Sequence, residues 1–199
     1  MNFWERHFRE KKKMWGLTPA NSALIISELF NNENFTNILI PGFGYGRNAL
    51  PFLTYGAKVT GIEISESALN LRSEEWNENL KIHLGSVSEM PFDKQVFDGI
   101  YCHGLIHLLD QVECKKFINA CYNQLKMGGI MTFTGISKHD LSYGKGEQIS
   151  EDRFETHPGV YIQFFDLKKL KSLFSGYGIV SIEPINEGQE MFLIKCLKE

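Results

Sequence analysis

The stretch Ile38-Leu39-Ile40-Pro41-Gly42-Phe43-Gly44-Tyr45-Gly46-Arg47-Asn48-Ala49, followed by Val59-Thr60-Gly61-Ile62-Glu63-Ile64-Ser65, constrains this chain more than any other part of it. An apolar run breaks into a glycine-rich turn, a helix is predicted to follow, and a second apolar run ends in a carboxylate. Open parallel sheets build nucleoside-binding crevices from parts in that order. Glycine has no Cβ, so backbone N–H groups of the turn can approach a ligand at a helix N-terminus. The acid at the end of the second strand is placed to accept hydrogen bonds from two ribose hydroxyls. Glycine turns after strands are also common punctuation without a ligand, so the reading depends on what accompanies this one.

The spacing narrows the ligand. In the dinucleotide fingerprint Gly-x-Gly-x-x-Gly the third glycine lets the helix pack closely on the strand, whereas here that place is Arg47 and the extra glycine comes early, at Gly46. A pyrophosphate reader is disfavoured. Gly-x-Gly-x-Gly followed by an acidic strand end resembles the first two motifs of the class I S-adenosylmethionine-dependent methyltransferases. Gly85-Ser86-Val87-Ser88-Glu89-Met90-Pro91-Phe92, after the apolar run Lys81-Ile82-His83-Leu84, resembles the family's third motif, where a loop lies against the adenine. Phe97-Asp98-Gly99-Ile100-Tyr101-Cys102-His103-Gly104 looks like its fourth strand, and Leu125-Lys126-Met127-Gly128-Gly129 like the turn before its fifth.

The resemblance implies an α/β fold. It would be a single Rossmann-like domain with a mostly parallel seven-stranded sheet, helices on both faces and a C-terminal antiparallel β-hairpin. It also implies S-adenosylmethionine as methyl donor and S-adenosylhomocysteine as product. On the matching positions, the cofactor would be held by Gly42, Phe43, Gly44, Gly46, Arg47 and Asn48, by Glu63, Ile64 and Ser65, by Ser86, Val87 and Ser88, and by Cys102 and His103, with Trp15 as a further contact. Arg47 near a cofactor carboxylate would form a charge-assisted pair. Two subgroups are similar in detail. Pro41 before Gly42 and the stretch Val59 to Glu66 look like thiopurine S-methyltransferases, although Cys102-His103-Gly104 stands where those enzymes carry Asp-Arg-Gly. Gly46-Arg47-Asn48-Ala49-Leu50 resembles the tellurite-resistance methyltransferases. The chain departs from the wider family at Ile40 and Ser86, where acids are usual.

Methyl transfer from a sulfonium is an in-line displacement, so the protein chiefly aligns the groups and excludes water. A base is needed only if the acceptor must lose a proton. His103 and His107, just beyond the fourth strand, are the candidate catalytic residues, with Tyr101 and Cys102 as neighbours; the alternative is that they wall the methionine moiety. No metal is expected, because no Asp and His cluster has ligand spacing.

Composition fits this reading. The 199 residues, 43% hydrophobic and 23% charged, suit one globular domain. A formal charge of -3 gives no basic footprint for a nucleic acid, so a small-molecule acceptor is expected. No run approaches the ~18 apolar residues of a membrane span. The N-terminus is too charged for a signal peptide, so no membrane partner and a cytoplasmic location are expected. Cys102, Cys114, Cys121 and Cys196 show no pairing or zinc spacing, and reduced, mostly buried thiols follow. Oligomeric state has no signature here.

Caps and periodicity divide the chain into an N-terminal helical cap (1–36), a cofactor-binding core (37–136), a lid insertion (137–165) and a final helix with hairpin (166–199). Asn2-Phe3-Trp4-Glu5 reads as a capping box, Thr18-Pro19 as the start of a second helix with Leu24, Ile25 and Leu29 on one face, and Ser65, Asp110 and Asp166 as further N-caps. The connection from Ser137 to Gln163 is expected to lack regular structure and to cover the site. Two alternatives to an enzyme of this class stand beside it: a non-catalytic cofactor sensor, and a nicotinamide oxidoreductase.

Overall fold

The computed structural model describes residues 3–72 and 78–199. Two helices, α1 (Phe3–Lys11) and α2 (Asn21–Asn32), precede an alternation of β1 (Asn37–Pro41), α3 (Leu50–Thr54), β2 (Lys58–Glu63), α4 (Glu66–Asn70), β3 (Leu80–Leu84), β4 (Phe97–Cys102), α5 (Gln111–Gln124) and β5 (Leu125–Ile136). Then come β6 (Glu147–Ser150), β7 (Arg153–His157), β8 (Val160–Gln163), α6 (Leu167–Leu173), β9 (Ile179–Asn186) and β10 (Glu190–Leu197). A seven-stranded sheet runs β3-β2-β1-β4-β5-β10-β9. β1 pairs in parallel with β2 and β4, while β10 is antiparallel to both β5 and β9. The predicted terminal hairpin is therefore present and inserts one reversed strand. Strand order reverses between β1 and β4, the kind of switch point at whose carboxyl edge open α/β sheets bind their ligands.

Strand periodicity sends alternate residues to opposite faces. Leu39, Ile100, Cys102, Met131 and Phe133 pack under α5 and α6, against Phe117, Ile118, Cys121, Leu170 and Phe174. Ile38, Ile40, Val59 and Tyr101 pack on the other face against Ala23, Ile26 and Phe30 of α2 and Phe52 of α3. Each fully buried side chain of this size contributes roughly 1.5–3 kcal/mol over an exposed one. α2 lies so close to the sheet that a Cβ on Gly99 would meet the Phe30 ring at 2.4 Å. Asp98 sets the start of β1: its carboxylate accepts from the Thr36 and Asn37 N–H groups and pairs with Lys126. Burial alone would raise its pKa, but those donors hold it below the usual value.

Some local expectations give way. α2 opens at Asn21 rather than at Thr18-Pro19, because the Glu187 carboxylate from the β9–β10 turn accepts from Asn21 N–H and Ser22 N–H at 2.8 and 2.7 Å. Its buried face is Ala23, Ile26 and Phe30, while Leu24 and Ile25 are about half exposed. Ser65, Asp110 and Asp166 do cap α4, α5 and α6. Asn2 of the first capping box lies outside the described residues. The segment 137–163 is not irregular: β6, β7 and β8 form a separate antiparallel sheet, packed through Phe154 and Phe164 on Ile136. No helix among the described residues is long and apolar enough to cross a membrane.

Candidate active site

The glycine turn leaves β1 with Gly42, Gly44 and Gly46 all at positive φ, 70°, 59° and 83°, a region that side chains with a Cβ enter at a cost. Its N–H groups do not project freely as the sequence suggested. Gly42 and Phe43 both donate to the Ile62 carbonyl at 2.9 Å, Gly46 donates to Phe43 O at 3.0 Å, and Gly44 donates to Glu63 Oε2 at 2.7 Å. The turn is thus buckled onto the end of β2, and α3 starts only at Leu50, beyond Arg47 and Asn48.

Glu63 is the centre of this arrangement. The residue is 6% exposed, and Oε1 accepts from the N–H groups of Ile64 and Ser65 at 2.9 Å each. Burial raises its pKa, opposed by the three backbone donors. Gly85 N–H, at the exit of β3, donates to the Glu63 carbonyl at 2.9 Å and brings the third motif alongside. There Ser86 caps a single 3-10 turn, Val87 is buried, and Ser88 reaches toward Glu113. Ile64 is 40% exposed beside the carboxylate.

The N-terminal segment folds over the turn. Glu5 of α1 accepts from Ser65 Oγ (2.7 Å), Ser67 Oγ (2.6 Å) and Ser67 N–H (3.1 Å), so a side chain of the first helix caps α4 directly after Glu63. The hydrogen bond from the Ser67 hydroxyl, with those from Ser65 Oγ and Ser67 N–H, holds the Glu5 pKa down at about 2. Tyr45 is buried, donates to Gly16 O at 2.7 Å and stacks on Trp15 with ring centres 6.3 Å apart. Arg47 donates to Thr18 O, and Asn48 accepts from Ala20 N–H. Trp15, Arg47 and Asn48 accordingly clasp the N-terminal segment to the turn.

Beyond β4 the chain passes His103 and His107. His103 Nδ1 lies 3.1 Å from Thr134 Oγ1 and 3.3 Å from Ser22 Oγ, and Ser22 Oγ lies 2.9 Å from Tyr101 Oη. Burial pushes the His103 pKa down to about 4. His107 is buried, its Nδ1 has no hydrogen-bond partner among the described residues, and burial pushes its pKa down to about 3. Cys102 is fully buried in the core beneath, and burial raises its thiol pKa well above the ordinary value, which leaves it inert as a nucleophile. All four cysteines are free and buried. Gln163 N–H donates to His107 O, and Arg153 to the carbonyls of Leu108 and Leu109, so the β6–β8 sheet sits on the histidine loop. Its turn meets α1 around a small cleft of about 60 Å³ lined by Phe3, Trp4, Leu108 and Tyr161. A concavity of about 410 Å³ lies elsewhere, beside Val96 at the amino end of β4.

Residues 38–129, the segment holding the turn, Glu63 and the β4 exit, match a family described as a methyltransferase domain. The match spans 92 of the chain's 199 residues. The tRNA N(3)-methylcytidine methyltransferase Mettl2 of Drosophila melanogaster is 22% identical over 152 residues, 69% of this chain and 47% of that protein. The chain thus spans about half the length of that curated relative. Among solved structures, 1,6-didemethyltoxoflavin-N1-methyltransferase of Burkholderia thailandensis superposes with a TM-score of 0.75 at 18% identity, covering 97% of this chain and 84% of that one. An S-adenosylmethionine-dependent methyltransferase from Clostridium acetobutylicum gives 0.75 at 14% identity, with complete coverage of both chains. TehB from Haemophilus influenzae gives 0.69 at 14%, covering 98% and 67%. Together with the strand order, these likenesses establish the class I methyltransferase fold.

Within that matched segment, the structure gathers Gly42, Phe43, Gly44, Gly46, Ile64 and Ser65 around the Glu63 carboxylate. Ser86 to Ser88 lie next to it through Gly85, and His103 sits apart in its own hydroxyl network. Sequence reasoning missed Glu5, Ser22, Thr134 and Glu187. Glu5 alone had a local signal, as the third residue after Asn2 in a capping-box pattern; the other three meet their partners across 31 to 165 positions of chain.

Proposed function

We propose that this chain transfers a methyl group from S-adenosylmethionine to a small-molecule acceptor. The observation that carries the reading is the Glu63 carboxylate. Each carboxylate oxygen can accept two hydrogen bonds; Oε1 takes two backbone donors and Oε2 one, leaving an acceptor position on Oε2 beside the glycine turn. That fits a ribose hydroxyl. A Cβ at Gly42 would come 3.3 Å from Leu105, so the bare turn lets the β4 exit loop pack directly against it. With the N–H groups of Gly42, Phe43, Gly44 and Gly46 already used inside the protein, the turn has few donors for a pyrophosphate, which counts against the nicotinamide alternative.

Bound there, the sulfonium would supply the activated methyl group. The chain's own residues position and enclose. Glu63 would fix the ribose, Ile64 offers an apolar surface for the adenine, and Ser86 to Ser88 close its other side. Arg47 spends one guanidinium donor on Thr18 O and keeps others for a carboxylate. Residues 1–36 act as a cap and 137–165 as a lid, which meet over the aromatic cleft at Trp4 and Tyr161 and exclude water. That aromatic rim suits a flat or apolar acceptor. With pKa values pushed down to about 4 and 3, His103 and His107 are poor bases near neutrality, so the acceptor brings an available lone pair. The tRNA substrate named for the fly relative is not carried over to this chain, whose net charge of -3 favours a small-molecule acceptor.

Isothermal titration of S-adenosylhomocysteine and of NAD tests this. Micromolar binding of the first with no heat from the second is expected. Folded protein that ignores S-adenosylhomocysteine would refute both the enzyme and a cofactor sensor, and tight NAD binding would favour an oxidoreductase.

A further inference from the structure

His103 is surrounded by hydroxyls whose hydrogens need acceptors. Thr134 Oγ1 receives the Gly104 N–H at 2.9 Å, and among the described residues the neighbour placed to take its own hydrogen is His103 Nδ1, at 3.1 Å. Ser22 Oγ and Tyr101 Oη share one hydrogen bond, and with Tyr101 as its donor the Ser22 hydrogen is left to point at Nδ1, 3.3 Å away. If Nδ1 carried a proton, the Thr134 hydrogen and one of the Ser22–Tyr101 pair would be buried without an acceptor. A bare Nδ1 turns its one lone pair toward both hydroxyls, with the shorter contact to Thr134 and the longer to Ser22, whereas a protonated Nδ1 could accept from neither. The proton of the neutral ring then sits on Nε2, which makes no hydrogen bond among the described residues, on a partly exposed side chain at the carboxyl edge. The Tyr101 ring lies nearly parallel to the imidazole, 10° between planes with ring centres 6.3 Å apart.

From this geometry we propose that His103 presents a fixed Nε2–H to the methyl acceptor, with Ser22 and Thr134 as the positioning residues that set its tautomer. The inference rests on the methyltransferase reading for its substrate. It names the chemistry recognised: a lone pair on the acceptor molecule, a ring nitrogen or carbonyl oxygen, near the atom to be methylated. His103 then orients the acceptor and takes no proton from it. The ionisable groups facing the ring are Glu187 from the β9–β10 turn, Arg47 from the glycine turn, His107 from its own loop and Tyr101 beneath; Glu187 favours a charged ring, and Arg47 together with burial outweighs it.

Long-range 1H–15N correlation spectra of protein labelled at its histidines test the assignment without an acceptor or turnover. The His103 signal is identified by its loss in His103→Gln or, should that variant fail to fold, by elimination with His→Gln changes at the other positions. The expected result is a single Nε2–H pattern unchanged from pH 8 to pH 5, replaced by a mixture of tautomers in Ser22→Ala/Thr134→Val, or in Thr134→Val alone if the double variant is unstable. An Nδ1–H pattern, a ring that charges near pH 6.5, or a pattern indifferent to removal of the hydroxyls would overturn it. Binding of S-adenosylhomocysteine to the same samples reports separately on the cofactor reading.

Discussion

Replacing Glu63 by Ala is expected to weaken S-adenosylhomocysteine binding at least tenfold, about 1.4 kcal/mol, and to lower stability by at least about 1–3 kcal/mol, the cost of one buried donor left unpaired. The two effects share a cause. The carboxylate joins the turn, through Gly44 N–H, to the start of α4, through Ile64 and Ser65 N–H, and it faces the proposed ribose position. Glu63→Gln separates the contributions. Its amide oxygen can still serve Ile64 and Ser65, but the NH2 then meets Gly44 N–H, donor against donor. We expect Gln to recover part of the stability and little of the affinity, measured by thermal unfolding and calorimetry on the same preparations. Full affinity in the Gln variant would show that the ribose is bound elsewhere.

Gly61→Ala is the second change with a large expected effect. An added Cβ would land 2.6 Å from Cδ2 and 2.8 Å from Cγ of Phe43. Those atoms sit near the base of a buried ring that cannot swing aside without moving the turn. Overpacking of this kind costs about 1–3 kcal/mol, a fall in Tm of roughly 2–12 °C for a domain of this size. Because Phe43 lies between Gly42 and Gly44, cofactor-product affinity should fall with stability. A Tm within about a degree of wild type, with unchanged affinity, would mean that Phe43 does not rest on Gly61.

Much of this architecture was legible because its signals are local. Ser65, Asp110 and Asp166 each cap a helix whose first turn they adjoin, and the alternation of Ile38, Leu39 and Ile40 between the two faces is a period-two pattern. What was misread depends on distant partners. Thr18-Pro19 has the form of a helix start, yet Glu187 selects Asn21 by supplying a carboxylate from the far end of the chain. Leu24 and Ile25 are apolar but lie on the side of α2 turned from the sheet, where composition cannot distinguish a core face from an outer one. β6 escaped notice because Glu147 to Ser150 are all exposed and pair through their backbone with β7. In the site, the motif located Glu63 and the glycines, but it could not reveal that the turn's donors are already satisfied. Nor could it show that Ser22 and Thr134, from a helix and a strand far apart in sequence, converge on His103. The histidines were noticed for their position after β4; their burial, which depresses both pKa values, is a tertiary property.

The central claim is that the cofactor lies against Glu63 and the glycine turn, and amide shift mapping during titration with S-adenosylhomocysteine tests it most directly. The largest changes are expected at Gly42 to Gly46, Ile64, Ser65 and Ser86 to Ser88, with little change at Asn119 to Gln124 beside the separate concavity. Saturable binding whose shifts cluster at that concavity, and leave Gly44 and Ile64 unmoved, would contradict it.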